Sequence, residues 1–222
     1  LLHAFQKRLE LTAFEFFSES ALGKVLARSG LSRPLATQGE FYALLEFDNT
    51  SPAIEAAALE VFEESLAAGW ALDGTMSQSE EQRSKLWRLR EEISETIAPS
   101  SPYKNDIAVR VAQIPAFLHE ISALVAENYP DFEIIWFGHI GDGNLHLNIL
   151  KPDHLSLADF YARCHGVSRQ IFEVVQRYGG TVSAEHGVGL LKKDYLPYSR
   201  SPAEIALMQA IKRSFDPKGI LN

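Results

Sequence analysis

The run Glu133-Ile-Ile-Trp-Phe-Gly-His-Ile-Gly-Asp-Gly-Asn-Leu-His-Leu-Asn-Ile-Leu150 decides how this chain is read. Two apolar, strand-like stretches flank Asp142-Gly143, the pair that type I′ turns favour because both central positions need positive φ. The spacing predicts a two-residue hairpin in which His139 faces His146 and Phe137 faces Asn148. Leu145, Leu147 and Ile149 then line one face of the second strand, and Asn144, His146 and Asn148 the other. A hairpin of this kind commits its strands to antiparallel pairing.

Outward from the hairpin, Leu11 to Phe17 and Phe41 to Asp48 read as strands, Trp70 to Met76 as a strand with a turn at Asp73-Gly74, and Asp106 to Ala112 and Thr181 to Ala184 as further strands. Helices are expected at Ser20–Ser29, at Pro52–Ala68 closed by Gly69, at Ser79–Ile97 ended by Pro99 and Pro102, at Pro115–Tyr129, at Leu157–Tyr178, at Val188–Tyr195 and at Pro202–Phe215. Hairpins mixed with returning helices give an α+β chain, an antiparallel sheet with flanking helices.

The chain has 222 residues, 46% of them hydrophobic, which is enough to build a core without metal or disulfide. A formal charge of -8 and the lack of any basic tract argue against nucleic acid as a partner. No apolar run approaches the ~20 residues of a membrane-spanning helix. Cys164 is the single cysteine, so an internal disulfide and a cysteine-rich zinc site are excluded, and a reducing, cytoplasmic setting fits. The chain opens at Leu1 without Met and without a signal-peptide pattern, and it reads as part of something longer.

Opposed strand positions bring Cβ atoms within about 5 Å, so the nitrogens of His139 and His146 could meet one metal ion. The alternative is a pair of half-buried histidines hydrogen-bonded across a hairpin. In Thr181-Val-Ser-Ala-Glu-His-Gly-Val-Gly189 a strand ends in Glu185-His186. Glu185 could be a third ligand, which leaves His186 as a general base with a pKa of ~6.5 in the free residue. Its alternative is a surface Glu-His pair at a helix start. On the helix Ser79–Ile97 the apolar stripe runs through Leu86, Leu89, Ile93 and Ile97. Arg90 lies at its edge with Ser94 one turn on, a position where an Arg has usually found an anion. Glu91, Glu92 and Glu95 face solvent. Lys104 offers a further positive charge or is simply a surface lysine.

Gly138-His-Ile-Gly-Asp-Gly-Asn-Leu-His146, Ser183-Ala-Glu-His-Gly-Val-Gly189 and Phe215-Asp-Pro-Lys-Gly-Ile-Leu-Asn222 together resemble the C-terminal domain of FAD-linked D-2-hydroxyacid dehydrogenases and oxidases. That family acts on D-lactate, D-2-hydroxyglutarate and glycolate. The resemblance runs from Leu11 to the end. It implies that residues 1–222 are a ferredoxin-like, substrate- and metal-binding cap, with the FAD-binding N-terminal domain absent from this sequence. The metal ligands it implies are His139, His146 and Glu185, with zinc first and manganese or iron fitting similar donors. It makes His186 catalytic, assigns Arg90, Ser94, Lys104 and Asn148 to the substrate, and turns Asn144 and Asn222 toward the flavin. Ser94 stands where the hydroxyglutarate branch has Thr, which keeps the hydroxyl. The connection from Arg90 to Lys104 is one residue shorter than in that branch.

The expected partners are a small 2-hydroxyacid, the chain's own FAD domain and an electron acceptor that the sequence does not name; a homodimer is compatible with these. Without its flavin domain this stretch is expected to hold no FAD and to have no dehydrogenase activity. Two other classes stay in view. A metal-dependent hydrolase would use the same ligands and an activated water, and a non-catalytic module would bind metal or carboxylate without turnover.

Overall fold

The computed structural model describes residues 1–221, so Asn222, expected near the flavin, lies outside the described residues. The elements in chain order are α1 (Leu2–Gln6), β1 (Leu11–Ser18), α2 (Glu19–Ser29), β2 (Phe41–Phe47), α3 (Pro52–Ala67), α4 (Glu80–Glu91), α5 (Ile93–Ile97), β3 (Tyr103–Ala108), α6 (Ile114–Asn128), β4 (Ile134–Gly138), β5 (Asn144–Ile149), α7 (Leu157–Arg177) and α8 (Pro202–Phe215). They form two compact units, Leu1–Pro102 with Ile134–Gly141, and Tyr103–Glu133 with Asp142–Asn222. Every strand pairing within the units is antiparallel. The chain is α+β, as its pattern predicts.

In the first unit β1 lies between β2 and β4, with Phe16 opposite Ala43 on one side and Gly138 on the other. Its helices cover apolar strand faces. Phe5 of α1 and Leu9, between α1 and β1, bury against Ala58 and Val61 of α3, and α2 packs on α5 and β4. Ser18 caps α2 by accepting the Ala21 N–H, and its hydroxyl also accepts the Trp136 N–H of β4.

In the second unit β3 and β5 pair from Tyr103↔Ile149 to Ala108↔Asn144. Leu145, Leu147 and Ile149 are fully buried, and each contributes roughly 1.5–3 kcal/mol by leaving water. Directly opposed residues share a face, so Ile107↔Leu145 and Tyr103↔Ile149 lie on one side. Ala108↔Asn144, Asp106↔His146 and Lys104↔Asn148 lie on the other. This is the alternation read from the sequence. The amphipathic helix α7 packs on β3 and α6 and buries Phe160, Cys164, Ile171 and Phe172. Burial pushes the Cys164 thiol up to about 11, so it is an inert core residue.

Several expected elements differ. Trp70–Met76 is not a strand: Trp70 and Ala71 donate back to the Ser65 carbonyl as the end of α3, and Asp73 accepts from the Thr37 and Gly74 N–H groups, so side chain and cap satisfy the backbone instead of a ladder. The helix expected over Ser79–Ile97 is broken at Glu92, whose ψ opens to -4° while its N–H caps α4. The strand expected from Asp106 begins at Tyr103 and ends at Ala108, because the chain enters a 3-10 turn at Val111–Gln113. Thr181–Ala184 is reduced to one bridge, Ala108↔Thr181. Val188–Tyr195 is not helical: Gly187 and Gly189 hold φ of 77° and 52°, and a 3-10 turn starts only at Lys193.

The turn after β4 also differs from expectation. Strand β4 ends at Gly138 and β5 starts at Asn144, so His139–Gly143 is a five-residue connection. Among the described residues of this turn only Gly143 has positive φ, 87°, which a type I′ turn at Asp142-Gly143 cannot accommodate. Asp142 instead accepts the Asn144 N–H through Oδ1, and Gly141 donates to the Phe14 carbonyl of β1. The facing of His139 and His146 that a two-residue turn would dictate is therefore not supplied by the turn. No helix among the described residues is long and apolar enough to cross a membrane.

Candidate functional site

In the first unit the chemistry gathers on Glu15. The strand Leu11-Thr-Ala-Phe-Glu-Phe-Phe17 is otherwise uncharged, and its one acid is buried. Glu15 Oε2 lies 2.9 Å from Arg90 Nη2 on α4, and Oε1 lies 2.8 Å from His139 Nδ1. The Arg90 guanidinium also sits over the Phe137 ring, 4.9 Å from its centroid. The anion expected for an Arg at the edge of an apolar stripe is thus Glu15, and Arg90 is buried. Ser94 falls beyond the break at Glu92, on α5, and is exposed, so the continuous helical turn expected between it and Arg90 is interrupted. Of the glutamates expected to face solvent, Glu91 and Glu95 do, while Glu92 is half-buried and accepts from Arg88.

In the second unit the pairing of β3 with β5 sets Asp106 beside His146 and Lys104 beside Asn148. His146, Asn148, Asn144 and Asp106 are buried, and Lys104 is exposed. Asp106 Oδ2 accepts three consecutive backbone N–H groups, from Ala184 at 3.1 Å and from Glu185 and His186 at 2.9 Å. Consecutive N–H groups form a concave anion receptor, and here the strand side chain fills it. The Glu185-His186 turn is thereby fastened to the strand that pairs with His146. His146 Nε2 stands 3.3 Å from Glu185 Oε1, and its Nδ1 is 3.5 Å from Asp106 Oδ1. His186 stacks on His146 with ring centroids 5.6 Å apart and keeps Nε2 3.5 Å from Glu185 Oε1.

His139, His146 and Glu185 each offer one donor of the kind a divalent metal takes. Within the second unit the donor spacing can be tested. Two ligands about 2.0–2.1 Å from a tetrahedral zinc stand ~3.3–3.4 Å apart, and His146 Nε2 and Glu185 Oε1 are 3.3 Å apart. These two residues fit a metal. Asn144 Oδ1 is buried with no hydrogen-bond partner, an acceptor that an incoming polar group would satisfy.

The sequence reading missed Glu15 and Asp106. For Glu15 the available signal was a lone acid inside an apolar strand, which is buried only with partners; Asp106, behind Lys104 and Asn105 in Tyr103–Ala108, carried no such signal. It also missed Lys192. That amine donates to Asn105 Oδ1 at 3.0 Å and lies 4.6 Å from the Phe172 ring centroid. Burial pushes it down to about 8, opposed by the charge of Asp106.

The model of the C-terminal domain of FAD linked oxidases matches residues 1–222. A D-2-hydroxyglutarate dehydrogenase of Stutzerimonas stutzeri (strain A1501) is 60% identical over 222 residues, 100% of this chain and 48% of that protein. One from Xanthomonas citri pv. viticola is 51% identical over 219 residues, 99% of this chain and 46% of that protein. A mitochondrial D-2-hydroxyglutarate dehydrogenase of Arabidopsis thaliana is 34% identical, over 96% of this chain and 37% of that protein. The chain spans about half the length, or less, of the relatives it matches.

Proposed function

This chain belongs to the family of FAD linked oxidase C-terminal domains, and from that membership we propose that the whole protein oxidises a D-2-hydroxyacid to the 2-oxoacid. D-2-hydroxyglutarate is the first substrate to test, because relatives at 60% and 51% identity carry that name. The observation that carries the reading is the cluster of His146, Glu185 and His186, two donors at a metal's bite with a second imidazole stacked beside them. When bound, FAD supplies the hydride acceptor, and the metal supplies a Lewis acid that lowers the pKa of the substrate hydroxyl.

The protein's own residues would orient the substrate and move its proton. His139, His146 and Glu185 are the proposed metal ligands, zinc first and manganese or iron after it. The hydroxyl proton would pass to His186 Nε2, the ring nitrogen on the Glu185 side, as the Cα–H bond gives up its electron pair. Arg90 and Lys104 would neutralise carboxylates. Asn148 would add a polar contact beside Lys104, Ser94 a hydroxyl, and Asn144 and Asn222 would face the flavin. The flavin-binding half of the protein is the expected partner, with a homodimer as a further proposal. The single buried thiol supports a reducing, cytoplasmic setting.

The test is His186→Ala in the full-length protein. Flavin reduction by D-2-hydroxyglutarate should slow by roughly 10²–10⁴, the usual contribution of a general base. An unchanged rate would remove His186 from the mechanism and the proposed chemistry with it.

A further inference from the structure

The two histidines proposed to bind metal belong to different units, yet each has its Nδ1 turned to a buried carboxylate from a neighbouring strand. His139 Nδ1 lies 2.8 Å from Glu15 Oε1. His146 Nδ1 lies 3.5 Å from Asp106 Oδ1, a buried atom with no hydrogen-bond partner. A carboxylate oxygen can only accept, so the imidazole that answers it must carry its proton on Nδ1 and its lone pair on Nε2. For His146, Nε2 is the nitrogen that stands at metal bite from Glu185. We propose that Glu15 and Asp106 are positioning residues that fix the Nδ1–H tautomer of His139 and His146, each within its own unit, so that each ring presents Nε2 as its metal donor; the proposal rests on the metal reading given above.

Asp106 has a second task that makes its geometry demanding. Its Oδ2 holds the N–H groups of Ala184, Glu185 and His186, so one side chain orients a histidine ligand and anchors the backbone of a carboxylate ligand. Its other oxygen, Oδ1, lies 3.5 Å from His146 Nδ1, the nearest ring nitrogen that could donate to it. A buried acceptor without a partner is costly, so a donor on His146 Nδ1 is favoured. Metal-bound imidazoles characteristically donate the other ring N–H to a carboxylate, and loss of that partner weakens metal binding about 10–100-fold.

Asp106→Asn keeps the shape and leaves one oxygen for the three backbone N–H groups. The amide nitrogen then faces His146 Nδ1 and calls for the opposite tautomer. In full-length protein stripped of metal and labelled with ¹⁵N-histidine, His146 should be Nδ1–H in the wild type and Nε2–H in Asp106→Asn. Zinc titrated back should bind the variant about 10–100-fold more weakly. Glu15→Gln should act on His139 in the same two measurements. Wild-type histidines in the Nε2–H form overturn the proposal even if neither variant folds. Weaker zinc binding with unchanged tautomers also overturns it, since a merely structural role would do that. If wild type takes up neither zinc, manganese nor iron, the metal reading itself fails, an outcome separate from any comparison with the variants.

Discussion

Glu15 and Asp106 both face a histidine from a buried strand position, but their other partners differ. Glu15 shares its carboxylate between His139 and the permanent charge of Arg90. Asp106 shares its own between His146 and three backbone N–H groups of an exposed turn. The first arrangement ties a carboxylate to a buried guanidinium, whose solvation the fold must replace. The second ties it to donors that can turn to water when released. The same orienting function is therefore built into the core of one unit and into a loop fastening in the other.

Truncation should separate the two. Glu15→Ala leaves Arg90 buried without its carboxylate, and removing one partner of a buried pair costs about 3–5 kcal/mol. Asp106→Ala should cost about 1–2 kcal/mol globally, since the freed N–H groups of Glu185 and His186 can reach solvent. Denaturant unfolding gives the first pair of values. Amide hydrogen exchange gives the second contrast, with Ala184, Glu185 and His186 losing protection selectively in Asp106→Ala. Equal global losses with no local change in exchange would erase the distinction.

The second unit contains a close backbone approach at Gly143. A Cβ on Gly143 would stand 2.0 Å from the Val109 carbonyl oxygen at a φ of +87°. The Val109 N–H donates to the Gly143 carbonyl at 3.1 Å, which holds the strand end that precedes His146. Gly143→Ala should therefore destabilise by roughly 2–4 kcal/mol, through strain and a backbone clash together. It should also displace Asn144 and His146, visible as a weaker zinc titration. A wild-type melting temperature in the variant would mean that the turn can rearrange.

How much of this was legible follows from what each feature depends on. Strands β1, β2 and β5 could be read because their apolar periodicity is local. His146 sits inside such a strand, whereas Glu185 and His186 follow a stretch that is reduced to one bridge and are held through Asp106 instead. The five-residue turn could not. Asp142-Gly143 carries a two-residue signal, but Gly141 is held by Phe14 and Gly143 by Val109, partners distant in sequence. Glu15 and Asp106 were missed for the same reason. Each is one acid in one strand, and its role appears only when pairing sets Asp106 opposite His146, or when α4 brings Arg90 to Glu15. The break at Glu92 was hidden because Leu89, Ile93 and Ile97 stay buried across it, so the periodicity survives.

The counter-charges give the smallest predicted difference between the units. Arg90 is charged at every working pH, whereas Lys192, on Asn105 beside Asp106, is pushed down to about 8 by burial. In the unfolded chain a lysine titrates near 10.4. Between these values the unfolded state binds more protons than the folded state, so stability rises as pH climbs from about 8 to about 10.4 and is lost again as pH falls. The gain is about 2 kcal/mol once the amine's partial contact with water is allowed for. Lys192→Met should abolish that rise. The variant also strips Asn105 Oδ1 of its donor, which lowers stability at all pH values, so the slope between pH 8 and 10 is the informative quantity and not the level. Paired urea titrations across this range read it directly, with tyrosine ionisation common to both proteins. A slope unchanged by the substitution would mean that the amine keeps its charge in the folded protein, and that the second unit, like the first, sets a fixed cation near its carboxylate.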